Sequence, residues 1–67
     1  MRIIAKGNER NFHRLVTKVR GRGYKVPVQN DKRHYLSFDL PKVDSEFIYE
    51  LLEQDAIIER DVRADLD

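Results

Sequence analysis

Residues 24–40, YKVPVQNDKRHYLSFDL, contain two runs in which apolar and polar residues alternate, separated by a polar turn at 30–33. Alternation with a period of two is typical of a strand that is buried on one face. The apolar positions of the two runs are Tyr24, Val26 and Val28, and then Leu36, Phe38 and Leu40. The stretch therefore predicts a β-hairpin, with these side chains directed toward a core.

Pro27 lies inside the first of these runs and lacks the backbone N–H that a central strand would donate. We therefore predict that the first strand of the hairpin lies at an edge of the sheet. Pro41 follows the second run and ends it.

A helical pattern precedes the hairpin. Asn8 is a good N-cap residue, and apolar residues then recur at i, i+3, i+4 and i+7. These positions are Phe12, Leu15, Val16 and Val19. Gly21 or Gly23 supplies a residue able to take a positive φ after the helix.

A second helical pattern follows the hairpin. Asp44 is its predicted cap, and Val43 and Ile48 stand at the two positions of a hydrophobic staple. The predicted apolar stripe is Phe47, Ile48, Leu51 and Leu52, and the predicted exposed side is Glu46, Glu50 and Glu53.

Two further strands are predicted at the ends of the chain. Residues 1–6, MRIIAK, contain a β-branched pair that favours a strand. Residues 56–66, AIIERDVRADL, alternate again, with Ile58, Val62, Ala64 and Leu66 in phase. Arg60 shares that phase, which a bulge or an extended side chain at a sheet edge would accommodate.

The predicted element order is β-α-β-β-α-β, the ferredoxin-like split βαβ pattern. Right-handed crossovers then favour one α+β domain over residues 1–67, with a four-stranded antiparallel sheet in the order 4-1-3-2. Both helices are predicted to cover one face of that sheet. Such a fold supports many unrelated functions and does not by itself indicate one.

Composition narrows the function classes. The chain has 67 residues and no cysteine, so neither a disulfide nor a thiolate metal site is available. It has no long apolar run, and its first residues lack the apolar segment of a signal peptide. We therefore expect a cytoplasmic protein with no membrane contact and no cofactor. A domain this small commonly gains stability by association.

Charge is distributed unevenly although the net charge is only +1. Residues 1–35 hold ten Lys and Arg and two acids, whereas residues 36–67 hold three Lys and Arg and ten acids. The predicted basic side of the first helix is an interaction surface for an acidic partner or for phosphates, unless it is an ordinary solvated face. The predicted protein contacts are Arg10, Arg14, Lys18 and Tyr35.

A nucleic-acid-binding protein is the alternative, with contacts from the first helix and the turn after it. Its predicted residues are Arg14, Lys18, Arg20, Arg22 and Lys25. The sequence pI of about 8.1 lies below that of a dedicated binder. The acids of the second helix are also expected to face the basic residues of the first, so part of the positive charge is matched inside the domain.

The uncovered face of the sheet is the second candidate surface. Its predicted side chains are Arg2, Ile4 and Lys6 from the first strand and Tyr35, Ser37 and Asp39 from the third. One aromatic ring and an acid disfavour base stacking there, and Arg2 and Lys6 are expected to pair with Glu59 and Asp61. The predicted apolar strip of Ile4, Pro27, Tyr35 and Ile57 favours a partner or a second copy.

Catalysis has weak support. His34 near Asp31 could be a general-base pair or half of a metal site, but an exposed histidine beside a turn is the favoured explanation. No spacing brings His13 to it. The turn at 21–23 follows a helix instead of preceding one and therefore lacks the geometry of a phosphate loop. We therefore predict a non-enzymatic regulator or inhibitor that acts by binding another protein, with a homodimer through the sheet face or an edge strand as a further expectation.

Overall fold

The computed structural model describes residues 1–60 of the chain. The elements are β1 Arg2–Lys6, α1 Phe12–Gly21, β2 Val28–Asn30, β3 Tyr35–Asp39, a 3-10 turn Lys42–Asp44, α2 Phe47–Leu52 and β4 Ile57–Arg60. The predicted strand positions Val62, Ala64 and Leu66 lie outside the described residues, as does Asp61.

The four strands form one antiparallel sheet in the order β2-β3-β1-β4. Read from the other edge, this is the order 4-1-3-2. β1 and β3 are central, with Ile3 opposite Phe38 and Ala5 opposite Leu36. Pro27 immediately precedes β2, which is an edge strand, so its missing N–H leaves no gap inside the sheet.

A single apolar core joins both helices to one face of the sheet. The buried apolar residues are Ile3, Ala5, Phe12, Leu15, Val19, Leu36, Phe38, Leu40, Phe47, Leu51 and Ala56. The strand residues in this cluster alternate with residues of the opposite face, as the period of two requires. The protein is therefore an α+β domain whose helices share one side of the sheet.

Phe38 is fully buried and lies at the centre of this core. Its ring stacks on Tyr24 with centroids 5.7 Å apart and meets Phe47 edge to face at 6.2 Å. Tyr24 also meets Phe47 at 5.8 Å. These three rings join the sheet, the segment before β2 and α2, and aromatic pairs in such geometries stabilise beyond simple burial.

The start and end of α1 follow from the residues that flank it. The Asn8 side-chain oxygen accepts hydrogen bonds from the backbone N–H groups of Arg10 and Asn11, so Asn8 organises the turn that leads into the helix. The helix itself begins at Phe12, three residues later than an N-cap at Asn8 predicts. After the helix, Gly23 takes a φ of +94° and donates to the carbonyl of Arg20.

The predicted start of α2 is wrong. Asp44 does not cap the helix, because its carboxylate accepts from Arg22 and Tyr24 instead. Val43 is 97% exposed, so the predicted hydrophobic staple with Ile48 does not form. α2 begins at Phe47, after the 3-10 turn. Leu52, predicted for the apolar stripe, is 46% exposed near the helix end.

The predicted side-chain phase of the first hairpin strand is also wrong in part. Tyr24 and Val26 pack against the core as expected, but they lie before β2. Val28 lies opposite Ser37 and is 45% exposed, on the face away from the helices. The chain changes phase around Pro27, which simple alternation cannot anticipate.

Arg60 lies opposite Ile3 on the edge strand β4 and is exposed. It therefore shares the side of Ile58, which lies opposite Ala5, as its sequence phase predicts. An edge position lets a long side chain reach solvent while its strand remains paired.

Gly7 lies where β1 turns into α1, and space there is restricted. Its N–H donates to the carbonyl of His34 at 2.8 Å. A Cβ at this position would lie 2.6 Å from Oδ1 of Asn11 and 2.7 Å from Cδ1 of Leu15. Leu15 is fully buried, and the Asn11 amide donates to the carbonyl of Gln54 at 2.6 Å, so neither side chain has room to withdraw.

We predict that Gly7→Ala lowers the free energy of unfolding by about 1–3 kcal/mol, because the added methyl group overpacks this junction. Gly21→Ala is the matched control, since a Cβ at Gly21 meets no atom within 4 Å. Alanine at that helical position should be neutral or stabilise by about 0.5–1 kcal/mol. Urea denaturation of both variants checks the prediction, and equal stabilities would contradict it.

Candidate protein-interaction surfaces

The face of the sheet opposite the helices, which we call the open face, is arranged in cross-strand rows. One row contains Asn30, Tyr35, Lys6 and Ile57, and the next contains Val28, Ser37, Ile4 and Glu59. Arg2 and Asp39 form a third pair. The six predicted side chains of β1 and β3 therefore lie together on this face.

The charges on the open face are paired across strands. Arg2 donates to both carboxylate oxygens of Asp39, at 2.9 and 3.2 Å. Lys6 Nζ lies 3.1 Å from a carboxylate oxygen of Glu59, as the sequence predicts. The Arg2 guanidinium, which donates to the Asp39 carboxylate, holds the pKa of that carboxyl below its usual range. Among residues 1–60, the two cations and two anions of this surface therefore balance.

Apolar side chains occupy the space between these ion pairs. Ile57 is 62% exposed, Val28 is 45% exposed, and Ile4 and Tyr35 are half-buried. Pro27 is exposed at the edge of the face, where it borders a groove of about 360 Å³. The lining residues of that groove are Arg2, Gly23, Tyr24, Lys25, Pro27 and Asp39. The apolar strip predicted from sequence therefore gains Val28 as an additional member.

Ser37 lies in the middle of the open face, between Val28 and Ile4. Its residue exposure is only 3%, and its hydroxyl has no hydrogen-bond partner among residues 1–60. A buried hydroxyl without a partner costs about 1–3 kcal/mol. The position is therefore not optimised for the stability of the isolated domain.

Two basic residues, Lys18 in α1 and Arg22 just after it, form ion pairs with acids. These acids are Asp44, before α2, and Glu50, within it. Arg22 donates to both oxygens of Asp44 and, at 3.3 Å, to Glu50, and its guanidinium lies 4.8 Å from the Phe47 ring centroid. Lys18 Nζ lies 3.8 Å from Glu50. Two of the predicted nucleic-acid contacts are thus matched inside the domain, as the acidic second helix predicts.

Asp44 is the acceptor at the centre of this network. The Arg22 guanidinium and the Tyr24 hydroxyl, which both donate to its carboxylate, hold the pKa of that carboxyl below its usual range. The same hydrogen bond to Asp44 raises the pKa of Tyr24. The contact fixes the segment after α1 to the 3-10 turn before α2.

The remaining predicted basic residues differ in their surroundings. Arg20 donates to the Gln29 side chain at 2.9 Å, and Lys25 lines the groove beside Pro27. Arg10 and Arg14 are exposed, and within residues 1–60 neither forms an ion pair. Tyr35 lies on the open face, so the four predicted protein contacts do not form one site: three lie on or beside α1 and one on the opposite side of the domain.

The candidate catalytic pair is not assembled. The His34 ring lies against Phe12, with centroids 5.7 Å apart, and Asp31 accepts from the Gln29 amide at 2.8 Å. Among residues 1–60, no group of three or more His, Cys, Asp or Glu is placed to hold a metal ion. Nor does this part of the chain contain a helix with the length and apolar content needed to cross a bilayer.

In comparisons with known proteins, no family model, no curated protein and no solved structure matches this chain. The chemistry of its surfaces is therefore the basis on which function is inferred.

We predict that the stability of the domain falls as the pH drops from about 5 to 3, because Asp44 becomes protonated. Its pKa is lower in the folded chain than in the unfolded chain. Its stabilising contribution is therefore complete above the unfolded value of about 4 and is lost as the pH falls through the folded value. Urea midpoints measured across this range check the prediction.

Asp44→Asn should reduce the slope of this pH dependence, since it removes one of the titrating groups; Asp39, whose pKa is also lowered, still contributes. Glu46→Gln is the control for the change in net charge, because Glu46 is exposed and forms no ion pair within residues 1–60. An Asp44→Asn variant with the same acid-side slope as wild type would exclude this role for Asp44.

Proposed function

We propose that this protein is a non-enzymatic protein-interaction module, a small regulator or inhibitor that acts by binding another protein through its open sheet face. The observation that carries the proposal is a sheet face that, within residues 1–60, has no covering helix, has apolar side chains between its ion pairs and is balanced in charge. Surfaces of this kind on small domains are typical of interaction sites.

Charge balance favours a protein partner over a polyanion at this face. Arg2 and Lys6 are paired with Asp39 and Glu59, so a phosphate backbone would compete with carboxylates already in place. A partner surface that is apolar and poor in charge meets no such competition. Tyr35, in the row beside Lys6, offers an amphipathic ring of the type enriched in interface hot spots.

The size of the face favours a different protein over a second copy. Within residues 1–60 the four strands hold 5, 3, 5 and 4 residues, which gives roughly 270 Å² of sheet plane. Two copies placed face to face would cover roughly 540 Å² of sheet plane, a small footprint beside the ~1,200 Å² of stable interfaces. A partner of another shape can extend past Pro27 into the groove that Arg2 and Asp39 share with the face.

The finer fold assignment and the location belong to the same proposal. The element order and a four-stranded antiparallel sheet with both helices on one side support a ferredoxin-like domain. A cytoplasmic location is proposed from the lack of cysteine, which suits a reducing compartment. The non-enzymatic assignment is supported by the separate engagements of Asp31 and His34.

We predict that Ile57→Glu weakens partner binding about tenfold or more, because it places an additional carboxylate, beside Lys6 and Glu59, in the apolar part of the interface. The matched control is Val43→Glu, the same kind of change at a residue that is 97% exposed away from the open face. Immobilised wild-type protein is used to capture and identify a partner from an extract of the source organism. The affinity of that purified partner is then measured for all three proteins.

The expected result is an unchanged affinity for Val43→Glu and a reduced affinity for Ile57→Glu, with circular dichroism showing that both variants are folded. Equal affinities for the three proteins would refute the open face as the docking surface. Sedimentation of the protein alone provides a further check, since a stable dimer that Ile57→Glu dissociates would identify a second copy as the occupant.

A further inference from the structure

A second surface, on the far side of α1 from the sheet, has the composition of an anion-binding groove. It has a volume of about 350 Å³, and its lining residues are His13, Arg14, Thr17, Lys18 and Gln54. α1 turns Phe12, Leu15 and Val19 toward the core, so the groove faces away from the open face. A compact partner on one surface therefore cannot occupy the other.

Arg14 of this groove is available for a ligand, and the ion pair of Lys18 is the weakest obstacle to a second contact. Arg14 and the neighbouring Arg10 are exposed and form no ion pair within residues 1–60. Lys18 pairs with Glu50 at 3.8 Å, the longest of the ion pairs found in that range. Glu50 also accepts from Arg22 at 3.3 Å, so Lys18 can turn toward a ligand without leaving Glu50 unpaired.

The positions of these cations define the spacing of the ligand. Arg10, Arg14 and Lys18 follow one another at intervals of four residues, and their like charges repel in the free protein. Arg14 and Lys18, both within α1, stand about 6 Å apart along the helix. Two carboxylates one helical turn apart on a partner helix have the same spacing and relieve that repulsion.

We infer that this groove binds an acidic helical segment of a protein, with carboxylates at i and i+4 facing Arg14 and Lys18. A carboxylate pair is favoured over nucleic acid because the positive surface is short. Arg20 and Arg22 are engaged with Gln29 and Asp44, and Glu50 of α2 lies 3.8 Å from Lys18 beside the groove. A nucleic acid gains affinity by meeting several free cations in succession.

The inference extends the proposed function by adding a second surface with a different ligand, and it does not depend on the open face. The proposed function and this inference can be refuted independently, because Ile57→Glu tests only the open face and Arg14→Glu tests only the groove.

The test uses a fluorescent helical peptide of about 18 residues, long enough to form a helix in water, with Glu at i and i+4 on an alanine-rich background. A peptide with Gln at the same positions is its control. Anisotropy at ~50 mM salt, where surface charges are weakly screened, should show saturable binding of the Glu peptide alone. Arg14→Glu should reduce that affinity about tenfold.

Lys32→Glu is the matched protein control, since it makes the same charge reversal at an exposed position in the β2–β3 turn. Its affinity for the Glu peptide should stay close to wild type. Equal losses in the Arg14 and Lys32 variants would show that only net charge matters and overturn the inference. Equal binding of the two peptides would also overturn it. Tighter, Arg14-dependent binding of single-stranded DNA or RNA would assign the groove to nucleic acid instead.

Discussion

The structure depends on the packing of Phe38, a residue of β3, against Tyr24 before β2 and Phe47 of α2. Its ring is fully buried, stacked on Tyr24 and set edge to face against Phe47. Each of those two rings also contacts a polar residue. Tyr24 donates to Asp44, and the Arg22 guanidinium lies over Phe47. Once Phe38 faces the helices, period two places Tyr35, Ser37 and Asp39 on the other side. The uncovered face is therefore a consequence of the core.

The unequal distribution of charge along the sequence becomes a set of matched contacts in the fold. Each ion pair found within residues 1–60 joins a cation from the basic half to an acid from the other half. Exposed pairs of this type contribute only about 0–1 kcal/mol each. They nevertheless neutralise the described part of the open face and connect α1 to α2, and Arg10 and Arg14 are among the basic residues that form no ion pair within residues 1–60.

Much of this arrangement follows from local sequence rules, and the exceptions have physical causes. The alternation of residues 35–40 and the helical spacing from Phe12 to Val19 predict which side chains enter the core. They do not predict that Ser37, on the open face, is buried as well. Local rules did not predict the role of Asp44, because Arg22 and Tyr24, which lie 22 and 20 residues earlier in the chain, donate to its carboxylate. They also did not predict that Val28 lies on the open face, because the chain changes phase near Pro27. Tyr35 and α1 lie on opposite sides of the sheet. That separation depends on how the helices pack on the sheet, and the spacing of residues in the sequence does not predict it.

The central claim, that the open face receives a partner, can be tested directly because the chain contains no cysteine. Tyr35→Cys, Ile57→Cys and Val43→Cys each introduce one thiol, the first two on the open face and the third away from it. The rate of labelling by a thiol reagent is measured with and without the protein that wild type captures. The partner should slow labelling at positions 35 and 57 and leave position 43 unchanged. Protection at position 43 alone, or at none of the three, would contradict it.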